Sequence, residues 1–170
     1  MLCRTLERRL LVNQSIDGDM MGDDKNSFWE PCWACRVIDG EPSGCIVTET
    51  LDVLVLINPF ALSAGHALVV PRRHIENLYE LPDELAGPIL STAARVARAA
   101  KRAFSAEGIT LRQNNEAASD QHLFHFHLHV IPRFRGDLEH FNSTPELAAH
   151  DQQAEMAERL RLAMVADSLL

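Results

Sequence analysis

The residues with the clearest chemical potential are His125, His127 and His129, which alternate with apolar residues. Side chains alternate across a β-strand, so this spacing predicts three imidazoles on one face of a strand and apolar side chains on the other. Neighbouring imidazoles would then lie roughly 7 Å apart. Such a row suits metal ligation, phosphate binding or nucleophilic catalysis, and folding alone does not require it. The alternative is a surface strand that happens to be rich in histidine.

A Cys-x-x-Cys pair, Cys32 and Cys35, forms the second candidate site. Two thiolates at this spacing can share one zinc ion, and two histidines would complete a tetrahedral set. We expect these to be His74 and His125, which would make the site closed and therefore structural. The alternatives are two buried free cysteines or a redox pair, although the surrounding sequence lacks the strand-then-helix context of a thioredoxin-like unit.

Hydrophobic patterning predicts the elements that position these residues. An apolar stripe at three- and four-residue spacing predicts one long helix from Leu85 to Phe104, and a last helix is predicted to end at about Asp167. Short apolar runs predict strands over residues 45–49, 52–58, 65–70, 110–114 and 123–131. Strands in hairpin-like succession, interrupted by one helix, predict an α+β fold with an antiparallel sheet.

Length, composition and charge limit the domain organisation and the partners. The chain has 170 residues, and the polar, acidic character of residues 1–28 predicts a mobile N-terminal extension before a single domain over residues 29–170. A formal net charge of -8 argues against non-specific nucleic-acid binding, which needs clustered Lys and Arg. Apolar runs are too short for a membrane span or a secretory signal, so we expect a cytoplasmic protein without a membrane partner.

These segments together resemble the histidine-triad (HIT) family, whose motif is His-φ-His-φ-His-φ-φ with φ an apolar residue. Residues 125–131 match this motif at every position, and residues 65–75 resemble the second signature segment of the family. The resemblance covers the chain from about Cys32 to Phe134. It implies a HIT-like antiparallel sheet with one long central helix and a C-terminal helix, a homodimer, and a small-molecule nucleotide as substrate.

The resemblance also implies roles for individual residues. His127 would attack the α-phosphorus of a nucleotide and form a covalent nucleotidyl-histidine, while His66 and His129 would contact phosphate oxygens or the bridging atom. The nucleotide-binding residues it implies are Asn58 at the ribose, His129, and Asn114 and Gln121 as phosphate contacts or loop-ordering residues. The structural zinc ligands it implies are Cys32, Cys35, His74 and His125.

Three positions depart from the family pattern near the expected anion site. Glu116 and Asp120 stand where the family often has glycine, and His122 stands where it often has Ser or Thr. The two carboxylates should weaken phosphate binding unless they point away. His122 is either a solvent-exposed loop histidine or a replacement for the hydroxyl that assists the leaving group. The candidates for compensating positive charge are Arg72, Arg73, Arg133 and Arg135, which are otherwise solvated arginines at strand ends.

The function expected from the triad is hydrolysis or transfer of nucleotide phosphate or phosphoramidate bonds, with dinucleoside polyphosphates or nucleoside phosphoramidates as substrates. A neutral imidazole suits this chemistry because it attacks an anionic phosphorus centre without charge repulsion and leaves readily in the second step. Two alternatives remain. One is a nucleotide-binding regulatory dimer with little turnover. The other is a metal-buffering protein, which would bind several metal ions per chain instead of one.

Overall fold

A computed structural model of the protein describes residues 29–137 and 145–167. The predicted N-terminal extension over residues 1–28 lies outside these residues, and the assignment of residues 29–170 to one domain stays a prediction. The helices are α1 (Trp33–Ile38), α2 (Asp83–Phe104) and α3 (His150–Asp167). The strands are β1 (Ile46–Glu49), β2 (Val53–Ile57), β3 (Ala67–Pro71), β4 (Gly108–Arg112) and β5 (Leu128–Arg133). Short 3-10 helices span Leu78–Glu80 and Ala117–Ser119.

The five strands form one antiparallel sheet in the order β1-β2-β3-β5-β4. Every residue of β2 and β3 is buried, which explains why both strands are continuous apolar runs instead of alternating patterns. Helices α2 and α3 pack on one face of the sheet, and α1 packs on the other with the side chains of Leu54, Leu56 and Leu68. The predicted α+β class with an antiparallel sheet is confirmed.

Helix α2 begins at Asp83 and buries the predicted stripe, which includes Leu85, Ile89 and Val96, against the sheet. Pro82 precedes its first turn, where a missing N–H costs nothing. The helix stops at Ser105, whose left-handed backbone (φ 57°) cannot continue a right-handed helix. This single long helix forms the floor on which the site strands β3 and β5 lie.

The histidine strand is shorter at its beginning than predicted. The sequence predicts a strand over residues 123–131, but β5 spans Leu128–Arg133. The partner strand β3 ends at Pro71, which has no N–H to continue the ladder, and the Phe126 N–H instead donates to the Ile75 carbonyl at 2.5 Å. Of the three histidines only His129 therefore lies within the strand, and the prediction of three imidazoles in one evenly spaced row is wrong.

None of the helices in residues 29–137 and 145–167 is long and apolar enough to cross a membrane. The cytoplasmic location stays a prediction.

Candidate active site and metal centre

Three buried histidines form a cluster on the sheet face opposite α2. His66 lies just before β3, His127 just before β5, and His129 within β5. The ring centroids of His127 and His129 are 4.8 Å apart, and those of His66 and His129 are 5.1 Å apart. Neighbouring triad rings thus converge more closely than a regular strand allows, because the chain leaves the strand at His127.

Hydrogen bonds fix which nitrogen of each ring carries the proton. The Leu62 N–H donates to His66 Nδ1 at 3.1 Å, so the proton of a neutral His66 resides on Nε2. This Nε2 lies 2.9 Å from His129 Nδ1 and donates to it. His129 must then carry its own proton on Nε2. This N–H is the last group in the series of hydrogen bonds from Leu62 through His66, and it remains available as a donor.

The side chain of Asn58 also contacts His66. Its Oδ1 accepts from the Phe60 N–H at 3.1 Å, which orients the amide so that Nδ2 lies 3.4 Å from His66 Nδ1, the ring nitrogen that also accepts from the Leu62 N–H. The side chain is buried. The ribose contact implied for Asn58 stays a prediction, and its observed contacts position His66.

His127 is held in the opposite way. Its Nδ1–H donates to the backbone carbonyl of His125 at 2.7 Å, so the lone pair of a neutral ring is on Nε2. A nucleophile needs this tautomer, because the attacking nitrogen must be unprotonated. The carbonyl is available because residues 123–127 stand outside the ladder of β5.

Burial keeps the cluster neutral. It lowers the pKa of His66 to about 3, with smaller contributions from the charges of Arg112 and His127. Burial is also the main cause that lowers the pKa of His127 and of His129, and Arg112 acts in the same direction on both. At neutral pH the histidines therefore offer hydrogen-bond donors and one unprotonated ring nitrogen, while the positive charge beside them belongs to Arg112.

Arg112 is not among the arginines that the sequence offers as candidates for positive charge at the site. Arg72 pairs with Glu49, Arg133 pairs with Asp137 at 2.7 Å, and Arg135 is 92% exposed. Arg112 stands opposite His129 in the β4–β5 register. Nothing in the local sequence marks it, since its position beside the triad depends on its pairing with His129, which lies 17 residues further along the chain.

The loop over residues 114–122 borders the cluster and is tied together by Gln121. The Gln121 Oε1 accepts from the Glu116 N–H at 2.7 Å, and its Nε2 donates to the carbonyls of Glu76 and Leu123. Asn114 Nδ2 donates to the Asp120 carbonyl at 3.2 Å across the loop. Of the two roles left open for Gln121, these contacts favour loop ordering, because both N–H groups of its amide are already used.

The two glycine departures lie at strained backbone positions. Glu116 has φ 68° and ψ 160°, a region that is essentially restricted to glycine, and Asp120 has left-handed φ 66° and ψ 35°. The Asp120 carboxylate is 71% exposed and lies 2.9 Å from His122 Nε2. His122 is thus an exposed loop histidine that pairs with a departure from the family pattern, and its role in assisting a leaving group stays a prediction.

Glu116→Gly should raise the free energy of unfolding by about 1–2 kcal/mol, because glycine adopts this backbone conformation without strain but loses more entropy on folding. Chemical denaturation of both proteins measures the change. Glu116→Ala is the matched control, since it removes the same carboxylate and keeps the Cβ that causes the strain. Equal stabilisation by alanine would show that charge, not backbone strain, is the source.

The second cluster joins Cys32, Cys35, His74 and His125, whose ligand atoms all lie within 4.8 Å of one another. The His125 Nδ1 lies 3.4 Å from Cys32 Sγ and 3.6 Å from Cys35 Sγ, and the His74 Nδ1 lies 3.3 Å from Cys35 Sγ. Tetrahedral zinc with its usual bond lengths separates sulfur and nitrogen ligands by about 3.5 Å. The four donors therefore fit a zinc ion.

The ring orientation of His125 also suits a metal ligand. Its Nε2–H donates to the Pro71 carbonyl at 2.8 Å, which leaves the Nδ1 lone pair directed at the sulfurs. Without a cation, burial and the neighbouring Cys32 raise the pKa of Cys35 to about 12. A bound metal ion would reverse this preference, because a coordinating thiol is deprotonated. The cluster thus has the donor chemistry of a closed Cys2His2 site.

Comparison with known proteins agrees with this geometry. Residues 40–136 match the HIT domain model. The chain is 38% identical over 109 residues to Protein hit of Bacillus subtilis, covering 64% of this chain and 75% of that protein. It is 32% identical over 137 residues to adenylylsulfatase HINT3 of Arabidopsis thaliana, covering 78% of this chain and 68% of that protein. A zinc-bound histidine triad family protein from Mycobacterium smegmatis has the same fold, with a TM-score of 0.70 at 28% identity over 82% of this chain and 98% of that chain. The chain therefore belongs to the histidine-triad (HIT) family, whose members are generally nucleotide hydrolases or transferases.

Proposed function

We propose that the protein cleaves nucleotide phosphate or phosphoramidate bonds through a covalent nucleotidyl-histidine on His127. The observation that carries this proposal is the pair of opposite tautomers in the cluster. His127 presents an unprotonated Nε2, while His129 presents an N–H donor beside it. A nucleophile next to a donor that can stabilise charge on a phosphate oxygen is the arrangement that phosphoryl transfer requires.

The proposed reaction has two steps. In the first, the His127 Nε2 lone pair forms a bond to the α-phosphorus, and the bond between phosphorus and the leaving group breaks with its electron pair on the leaving group. A sulfate or phosphate leaves as the oxyanion, whereas an amine also takes up a proton from solvent. In the second, water attacks the same phosphorus, loses a proton to solvent, and the His127 nitrogen leaves with its electron pair. The His129 N–H stabilises the charge on the phosphate oxygens in both steps. Phosphate in place of water would give transfer instead of hydrolysis.

A zinc ion held by Cys32, Cys35, His74 and His125 would link the segments that carry these residues and would take no part in the reaction. All four positions of a tetrahedral site are filled by protein, which is the pattern of structural zinc. The site would join α1, the segment after β3 and the segment before β5. The last of these carries the carbonyl that orients His127.

The test of this function is product analysis with three adenylyl substrates: diadenosine tetraphosphate, adenosine phosphoramidate and adenylyl sulfate. We expect the wild type to release AMP from at least one of them, because all three present the same α-phosphorus to His127. If the protein is a phosphorylase, added phosphate would attack the intermediate in place of water, and the product would be ADP instead of AMP. The absence of nucleotide product from all three under both conditions would contradict the proposal.

The second candidate is a nucleotide-binding regulatory dimer with little turnover. The acidic loop residues Glu116 and Asp120 favour it, because they add negative charge at the border of an anion site. It predicts that adenine nucleotides bind at the same affinity whether or not His127 is present, and that no labelled covalent adduct accumulates. The same product analysis, combined with equilibrium binding, separates the two candidates.

We also infer that two copies of the chain pair through the edge strand β4 and the outer face of α2. Leu111 on β4 is 47% exposed and Leu90 on α2 is 58% exposed, and β4 has an open edge in the sheet order. Sedimentation should give twice the chain mass of 19.0 kDa. A monomer at micromolar concentration would contradict the pairing.

A further inference from the structure

Arg112 is a positively charged residue beside the histidine cluster to which the proposed reaction assigns no role. It is the last residue of β4, and its Cα pairs with that of His129 in β5. Residues directly opposite each other in an antiparallel pair project from the same face of the sheet. The Arg112 side chain therefore leaves the sheet on the face that carries His129, and it is half-buried there.

The field of Arg112 reaches the cluster. Its positive charge contributes to lowering the pKa of both His66 and His129, behind the larger effect of burial. Since these two histidines are neutral, Arg112 is a fixed positive charge among groups that otherwise offer only dipoles. An arginine retains its charge at any pH relevant to proteins, and its planar guanidinium matches the oxygens of a sulfate or phosphate.

The leaving group is where such a charge has the largest effect. A sulfate, phosphate or polyphosphate departs with its electron pair on oxygen and needs no proton if a cation stabilises the oxyanion. An amine must take up a proton as the P–N bond breaks, and a guanidinium, which holds its protons tightly, is a poor proton donor. The fixed charge of Arg112 thus favours leaving groups that depart as oxyanions over those that depart as amines.

We propose that Arg112 binds the anionic leaving group and makes the site select nucleotides that release an oxyanion over nucleoside phosphoramidates that release an amine. This inference rests on the proposed cleavage at His127 and narrows its substrate class. In the favoured reaction the P–O bond to sulfate or phosphate breaks as the bond from His127 Nε2 to phosphorus forms, and the new oxyanion lies against the guanidinium.

The experiment compares kcat/KM for adenylyl sulfate and for adenosine phosphoramidate, which share the adenylyl group, in wild type and Arg112→Met. We expect kcat/KM for adenylyl sulfate, divided by kcat/KM for adenosine phosphoramidate, to fall by about 10- to 100-fold in Arg112→Met. This is the cost of losing one charge-assisted contact. Arg112→Lys keeps the charge without the planar fork and should lose less. Arg135→Met is the matched control, because Arg135 is 92% exposed and should leave the ratio unchanged.

A ratio unchanged in Arg112→Met, or an equal loss on both substrates, would overturn the inference and leave the proposed function standing. If the wild type cleaves neither of these two substrates, equilibrium binding of ADP and AMP tests the role of Arg112 instead. The proposed function fails only if diadenosine tetraphosphate is not cleaved either. ADP carries one phosphate beyond the α-position and AMP carries none. Arg112→Met should then weaken ADP binding by about tenfold and change AMP binding little, and equal changes for ADP and AMP would refute the role of Arg112.

Discussion

His127→Ala should lower the rate of AMP release by at least about 10³-fold, the scale on which removing a covalent nucleophile acts. The loss should appear in kcat more than in KM, because the substrate can still contact the other histidines and Arg112. The lone pairs of the other two rings are already used, because His66 Nδ1 accepts from the Leu62 N–H and His129 Nδ1 accepts from His66. Neither ring can therefore take the place of His127 at the same phosphorus. Single-turnover kinetics with an α-labelled nucleotide measure the chemical step directly.

The same experiment detects the covalent intermediate. Rapid quenching into alkali, in which a phosphorus–imidazole bond survives, should leave label on the wild-type protein and none on His127→Ala. The matched control is His150→Ala, which removes an exposed histidine at the start of α3 and should keep both adduct and turnover. Turnover of His127→Ala within tenfold of the wild type would refute the covalent mechanism.

The sequence predicts those parts of the site that depend on residue spacing within one segment. It does not predict those that depend on how distant segments pair. His125, His127 and His129 are recognisable because a two-residue spacing is visible in a single segment. Their actual arrangement is not, because it depends on where the partner strand ends. Pro71 lies 54 residues before His125 and decides that the strand begins only at Leu128. The roles of these residues stay a prediction, and the strand geometry predicted for them was wrong.

Arg112 shows the same limit more sharply. It is one residue of a short strand, and the arginines named as candidates from the sequence are four others, Arg72, Arg73, Arg133 and Arg135. Only the register of β4 against β5 brings it opposite His129. Conversely, the family resemblance marked Glu116 and Asp120 as replaced glycines, and the backbone angles give the physical reason why glycine is preferred there. A pattern can identify a departure without explaining it.

The metal cluster was predictable in composition because each of its parts has a recognisable local context. Cys32 and Cys35 stand at metal-ligand spacing, and His74 and His125 belong to the two segments that resemble family signatures. What the sequence could not give is that the Pro71 carbonyl fixes the tautomer of His125. That contact links the end of β3 to both clusters, since the His125 ring faces the sulfurs while its own carbonyl holds His127.

Cys35→Ala should abolish zinc binding and lower the midpoint of thermal unfolding by about 10 °C, equivalent to about 3 kcal/mol for a domain of this size. The reason is that the cluster connects α1 to two segments that follow β3 and precede β5, and three remaining ligands leave the metal exposed to exchange. Metal analysis should fall from one zinc ion per chain to a small fraction. Differential scanning calorimetry with and without chelator measures the stability.

Cys45→Ala is the matched control, because Cys45 is a buried core thiol that lies outside the cluster. It should keep its zinc and lose only about 1 kcal/mol from the small cavity that it creates. A chelator should destabilise wild type and Cys45→Ala and leave Cys35→Ala unchanged. Several zinc ions per wild-type chain would instead favour the metal-buffering alternative.

The same variant separates a structural metal from a catalytic one. The four ligand atoms face one another, and His127, the proposed nucleophile, is oriented by a backbone carbonyl and not by any atom of this cluster. Well below its lowered midpoint, Cys35→Ala should therefore retain AMP release within about tenfold of the wild type, far from the loss expected for His127→Ala. If zinc-free, folded Cys35→Ala is as inactive as His127→Ala, the metal takes part in the reaction, and the assignment of this cluster as structural is wrong.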